Sequence, residues 1–185
     1  VSIAAIVLAA GAGRRMGGPK ALLVVEGETL LRRAARAALA AGCAPVAAVV
    51  GPWDPELEDL DVLVVPNPEA DEGMASSLRA GLAALPDDVE AVLVLAVDQP
   101  AVDADLLRGL LALFRASAGR PAACTYADTL GIPAVLPAHL FPDLRALRGD
   151  RGAKAILVRE GAASLPFPEG AQDLDRPEDL GRIRR

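Results

Sequence analysis

Leu8-Ala9-Ala10-Gly11-Ala12-Gly13-Arg14-Arg15-Met16-Gly17-Gly18-Pro19-Lys20 follows directly on the apolar run Ile3-Ala4-Ala5-Ile6-Val7-Leu8. Six apolar residues without alternation predict a strand buried on both faces, as in a parallel sheet. A strand that runs into a glycine-rich basic loop ahead of a helix brings backbone N–H groups up to a phosphate. Gly11, Gly13, Gly17 and Gly18 permit close approach and positive φ, while Arg14, Arg15 and Lys20 supply fixed positive charge. This combination predicts a polyphosphate site rather than a solvated turn. Two familiar phosphate loops do not fit. A Walker A loop needs Gly-Lys-Ser/Thr, and this chain has Gly18-Pro19-Lys20-Ala21. The dinucleotide fingerprint G-x-G-x-x-G has Met16 at its third glycine, and Pro19 and Glu26-Gly27-Glu28 precede the first convincing helix.

Working outward, the 185 residues suit one domain spanning 1–185, 52% hydrophobic but only 3% aromatic, so the core is packed from Ala, Val and Leu. A formal net charge of −6 argues against a nucleic-acid surface and makes the basic loop a local exception suited to a small polyanion. Cys43 and Cys124 form no CxxC pair, which disfavours a disulfide framework or zinc site. No charged n-region precedes the first strand and no apolar stretch is long enough to span a bilayer, so a cytoplasmic protein with no membrane partner is expected.

Strand and helix signals alternate. A helix is predicted from the N-cap Thr29 to Gly42, strands at 46–50 and 62–65, a helix from Gly73 to about Leu85, and a strong central strand at 91–97. A helix from Asp103 to Ala116, strands near 122–124 and 132–135, a helix near 152–159 and one after Pro177 follow. Pro133 predicts an edge or a bulge. The βαβ alternation predicts an α/β fold, a three-layer αβα sandwich around a mostly parallel Rossmann-like sheet. Ligands bind such sheets beyond the carboxyl ends of the strands.

The turn Val97-Asp98-Gln99-Pro100 occupies such an end. Read alone, Asp98 is equally a helix-capping residue. Its place at the end of the most buried strand favours a cation ligand, because Mg²⁺ bound with a nucleoside triphosphate takes one or two carboxylates beside phosphates and water. Ser76 and Ser77 read as capping residues, and Asp150 as a cap for the helix near Gly152. His139 and Trp53 match no motif.

The opening loop resembles the pattern L-A/G-A/G-G-x-S/G-x-R-M-G-x-x-K of the MobA-like nucleotidyltransferase superfamily, whose sheet is of the nucleotide-diphospho-sugar transferase type. The likeness continues in Asp98-Gln99-Pro100, in Gly73…Ser77-Leu78…Gly81-Leu82, and in Asp173-Leu174-Asp175-Arg176-Pro177-Glu178-Asp179-Leu180. It implies nucleotide contacts from Leu8, Ala9, Ala10, Gly11, Ala12, Gly13, Arg14, Gly73 and Ser77. Arg15 and Lys20 take the catalytic positions, and Asp98 with Asp175 holds Mg²⁺. Gly13 stands where serine is commoner and removes a hydroxyl contact to phosphate. Gly131-Ile132-Pro133 and Gly149-Asp150-Arg151-Gly152-Ala153-Lys154 resemble elements of the molybdopterin cytidylyltransferase branch, which implies acceptor contacts from Gly131, Pro133, Gly149 and Asp150. The L-A-A-G and D-Q-P forms favour that branch over the guanylyl one.

The resemblance therefore implies transfer of a nucleotidyl group from an NTP, CTP for this branch, to a phosphorylated small-molecule acceptor of the molybdopterin type, with pyrophosphate released. Molybdoenzyme maturation proteins are the partners it suggests. Three alternatives stand beside it: a guanylyl or sugar-phosphate nucleotidyltransferase, an NAD(P)H-dependent oxidoreductase on the same scaffold, and a non-catalytic nucleotide sensor. The oxidoreductase is disfavoured by the failed G-x-G-x-x-G spacing and by the lack of a clear ribose-binding acid after the second strand, although Asp54 is nearby.

Overall fold

The computed structural model describes residues 2–13, 17–172, 174 and 179. The helix predicted after Pro177 lies outside the described residues. In chain order the strands are β1 (Ile3–Leu8), β2 (Val24–Val25), β3 (Glu28–Thr29), β4 (Val46–Val50), β5 (Leu63–Pro66), β6 (Ala91–Ala96), β7 (Ala122–Tyr126), β8 (Thr129–Pro137) and β9 (Ala163–Pro166). The α-helices are α1 (Leu30–Ala40), α2 (Met74–Ala84), α3 (Ala104–Ala116), α4 (Phe141–Ala146) and α5 (Lys154–Arg159). Seven of the described strands form one sheet in the order β5-β4-β1-β6-β8-β7-β9, and β2 and β3 make a small hairpin.

β1 pairs in parallel with β4 on one side and β6 on the other, which makes it the strand where the chain's direction across the sheet reverses. Such a switch point opens a crevice at the carboxyl ends of its strands. Among the described strands of the seven-stranded sheet β8 alone runs against the rest, pairing antiparallel with both β6 and β7. The proline prediction resolves as a bulge and not an edge. Ala123 pairs with Ala134 and Cys124 with Gly131, so Ile132 and Pro133 are skipped in a strand interior to the sheet.

Every residue of β1 and β4 is buried, as a parallel sheet covered on both faces requires. The period of two sorts β1 between two cores. Ile3, Ala5 and Val7 pack with Leu31 and Ala38 of α1 and Leu107, Leu110 and Leu111 of α3. Ala4, Ile6 and Leu8 pack with Leu78 and Leu82 of α2, Leu144 of α4 and Leu157 of α5. This is the three-layer αβα arrangement. Core side chains are small, so backbones approach closely; a Cβ at Gly81 of α2 would sit 2.7 Å from Ile6 Cγ2.

Thr29 caps α1, its hydroxyl accepting from the Arg32 N–H at 3.2 Å. Arg32, Arg33 and Arg36 of α1 pair with Asp59, Glu26 and Glu28, a solvent-side network that suits their reading as surface residues. Asp103 caps α3 by accepting from the Leu106 N–H at 2.8 Å. The strand predicted at 62–65 is Leu63–Pro66 and lies at the sheet's edge with Leu63 and Val64 exposed. No helix among the described residues is long and apolar enough to cross a membrane.

Candidate active site

The crevice at the ends of β1 and β6 holds a cavity of about 350 Å³. Its floor is the start of the glycine-rich loop: Leu8, Ala9, Ala10, Gly11 and Gly13. One wall is Ala96, Val97 and Asp98, where β6 ends. The other is Ala70, Gly73, Met74 and Ser77 at the beginning of α2, with Asp150 from the loop before α5. Lys20 closes the ring. Residues far apart in sequence thus meet because β1 lies between β4 and β6, and α2 is packed over β1.

Lys20 opens a short 3₁₀ turn, Lys20–Leu22, whose Ala21 is buried. That anchorage aims the ammonium across the crevice, with Lys20 Nζ 3.7 Å from Asp98 Oδ2. Both side chains keep partial access to solvent, 20% and 31%. Gly13 has φ of +58°, and a Cβ there would lie 1.8 Å from the carbonyl oxygen of Gly18. The Gly18 N–H also donates to the Gly13 carbonyl at 3.4 Å. The two ends of the basic loop therefore touch at Gly13, and the commoner serine has no room for its Cβ.

The second wall depends on Asn67, which follows β5 and belongs to none of the motifs quoted from the sequence. Asn67 is buried; its Nδ2 donates to Ser76 Oγ at 2.9 Å and to Ser77 Oγ at 3.0 Å, and its Oδ1 accepts from the Glu69 N–H at 3.0 Å. Ser76 in turn donates to the Gly73 carbonyl at 2.8 Å. The two serines are held inside the first turn of α2, and Gly73 occupies the cap position with φ of +119°. The available signal was the Asn-Pro pair, whose amide is suited to a turn.

Asp150 does not cap α5, whose N-cap is Ala153 without a side-chain bond. It faces Gly73 instead: a Cβ there would be 2.4 Å from Asp150 Oδ1. Gly149 adjoins the wall through its carbonyl, which accepts from the Ala75 N–H at 3.0 Å. Gly131 and Pro133 stand apart from the lining. Gly131 is covered by Tyr126, whose hydroxyl donates to the Ile132 carbonyl at 2.9 Å. Ala12 is likewise not part of the lining. Arg14, Arg15 and Asp175, with Asp173, lie outside the described residues. Leu174 is described, and its N–H donates to the Asp98 carbonyl at 3.0 Å. Gln99 is buried beside it, with Nε2 donating to the Gly170 carbonyl at 3.2 Å. Asp54, the acid weighed for a dinucleotide ribose, accepts from the Glu56 N–H at 3.0 Å within its own loop.

No cluster of three metal-ligating side chains occurs among the described residues. The lining nevertheless includes the carboxylate of Asp98, an oxygen donor that suits a hard cation, beside the start of the glycine-rich loop.

The protein is thus an α/β fold with a glycine-rich loop at its switch point and a cation–carboxylate pair at the mouth of the crevice. The MobA-like NTP transferase domain matches residues 5–164, and the chain belongs to that family. It is 36% identical to nicotine blue oxidoreductase of Paenarthrobacter nicotinovorans, over 98% of this chain and 96% of that protein. It is 32% identical to the molybdenum cofactor guanylyltransferase of Rhodobacter capsulatus, over 97% and 94%. Among solved structures it is similar to Rv0371C of Mycobacterium tuberculosis in complex with manganese, with a TM-score of 0.76 and 27% identity over 99% and 98% of the two chains.

Proposed function

We propose that the chain is a divalent-cation-dependent nucleotidyltransferase that uses CTP and a phosphorylated acceptor of the molybdopterin type. The observation that carries this is the Lys20–Asp98 pair, 3.7 Å apart at the mouth of a crevice floored by the phosphate loop. With a triphosphate and its cation bound, Lys20 would turn to phosphate oxygens and Asp98 would hold the cation.

Asp98 would hold magnesium, which would supply charge neutralisation and polarisation of phosphate oxygens. The chain's own groups do the rest. Backbone N–H groups of residues 10–13 hold the triphosphate, the Ala9 N–H being taken by the Val49 carbonyl, and Lys20 neutralises charge that builds on the α-phosphate oxygens. A terminal phosphate oxygen of the acceptor attacks the α-phosphorus, the bond from that phosphorus to the bridging oxygen breaks, and pyrophosphate leaves with the electron pair. The acceptor phosphate is anionic at neutral pH and needs no general base, so positioning carries the catalysis. Arg14 and Arg15 add charge to the triphosphate end, and Asp175 is the second carboxylate expected from the sequence. Gly73 and Ser77 face the base, while Gly149 and Asp150, with Gly131 and Pro133 further off, belong to the acceptor side. The buried methyl of Ala10, where the guanylyl branch more often has glycine, narrows the floor and favours the smaller pyrimidine.

Calorimetric titration of CTP, GTP, ATP and NADPH, each with and without Mg²⁺, tests the reading. Magnesium-dependent preference for CTP is the expected result. Preference for GTP transfers the assignment to the guanylyl branch. The likeness to nicotine blue oxidoreductase favours a second reading, oxidation–reduction with a nicotinamide cofactor. Tight NADPH binding with no NTP response would establish that one instead. Lys20→Ala and Asp98→Asn are each expected to reduce pyrophosphate release by about 100-fold or more without loss of fold; wild-type turnover in Lys20→Ala would remove Lys20 from the mechanism.

A further inference from the structure

We infer that Glu72 and Arg79 form a clamp that positions Asp150 to read hydrogen-bond donors on the acceptor, an assignment that rests on the transferase reading above. The two residues bracket the first turns of α2 and are joined through two guanidinium–carboxylate hydrogen bonds, one of them Arg79 Nη1 to Glu72 Oε1 at 3.1 Å. Each also grips the loop before α5. Arg79 Nη1 donates to the Leu147 carbonyl at 2.9 Å, and the Gly149 N–H donates to Glu72 Oε1 at 3.3 Å. The Gly149 carbonyl then accepts from the Ala75 N–H, taking up one of the helix's otherwise unpaired N-terminal donors. Three tethers thus hold residues 147–149 against α2, and residue 150 is the next in line.

The outcome is a fixed carboxylate on the cavity wall, close against Gly73. A carboxylate there repels phosphate, so its use is with the uncharged part of a ligand: N–H or O–H groups, to which an ionised carboxylate is an acceptor only. The fork geometry of Arg79 explains an arginine at this position, since it engages a carboxylate through two N–H groups while a further contact goes to a carbonyl. Bonding from Arg79, and then from the Gly149 N–H, holds the Glu72 carboxyl below its ordinary range. Glu69, 3.8 Å from the Arg79 guanidinium, reinforces the same sign of field. An exposed pair adds little to stability. The value of these residues lies in where they leave Asp150.

The test uses the full chain and calorimetric binding of molybdopterin and, separately, of CTP with Mg²⁺. Glu72→Gln, Arg79→Met and Asp150→Asn are each expected to weaken molybdopterin by about tenfold or more, as a misplaced contact does. CTP affinity and the melting midpoint stay near wild type. A clamp that acts only through Asp150 makes the Glu72→Gln/Asp150→Asn double variant no weaker than Asp150→Asn alone. Losses that multiply, or single variants that bind as wild type, would overturn the proposal. Should wild type itself take up no molybdopterin, the acceptor in the proposed function is wrong, and the clamp is judged on amide exchange at Gly149. Exchange must then accelerate about tenfold or more in Glu72→Gln and Arg79→Met; unchanged exchange ends it.

Discussion

Gly13 was read as a lost hydroxyl contact, a serine position occupied by something smaller. Its backbone gives another reason. With φ of +58° and the Gly18 carbonyl oxygen 1.8 Å from where a Cβ would stand, the loop closes only around glycine. Gly13→Ser therefore forces the loop open and does not restore a phosphate contact. The expected results are a loss of about 1–3 kcal/mol in denaturant unfolding and NTP binding weaker by about tenfold or more. A Gly13→Ser variant that binds CTP more tightly than wild type would contradict this account.

At the scale of elements, the wall made by α2 depends on a side chain outside that helix. Asn67 follows β5 and ties the edge of the sheet to the two serines of the helix's first turn. Both serines and Asn67 are buried, so removing the amide leaves hydroxyl oxygens short of a donor. Asn67→Ala is expected to cost about 1–3 kcal/mol in urea unfolding and to weaken nucleotide binding through Ser77. An unchanged unfolding midpoint would mean that water replaces the amide without penalty. By contrast Thr29, read from sequence as a cap, does cap α1, and Asp103 caps α3, whereas Ser76, Ser77 and Asp150, also read as caps, do not cap α2 or α5. Caps are local, a matter of residue type and a spacing of three. Asn67 reaches across nine and ten residues, and nothing in its neighbours announces that.

For the molecule as a whole, the two cysteines report on the cores. Burial pushes the Cys43 thiol up to about 11, partly offset by Arg115, and the Cys124 thiol up to about 12. In the unfolded chain a thiol titrates near 8.5 (roughly). The folded state thus holds protons that the unfolded state has released, and stability falls as pH rises from about 9 toward the folded values. Below that range the contribution is fully present. Urea unfolding at pH 8 and pH 10.5 should show this loss, and replacing both cysteines by alanine should flatten it. An equal slope in the double variant would assign the alkaline loss to other groups. The same burial predicts native thiols that react with a disulfide reagent only as fast as the chain opens.

The αβα class and the helices 30–40, 74–84 and 104–116 follow from local pattern, because apolar runs, caps and breakers lie within a few residues of one another. The motifs name Leu8–Gly11, Gly13, Lys20, Gly73, Ser77, Asp98 and Asp150 one by one; that all of them line one cavity comes from the sheet order. The hairpin of β2 and β3, each only two residues long, offered too short a period to read. Sheet order, the choice of a bulge over an edge at Ile132–Pro133 and the Glu72–Arg79 grip on the loop before α5 belonged to the tertiary structure alone. Each joins residues by packing across tens of positions, and a hydrophobic period records which face a residue turns inward but not what it meets there.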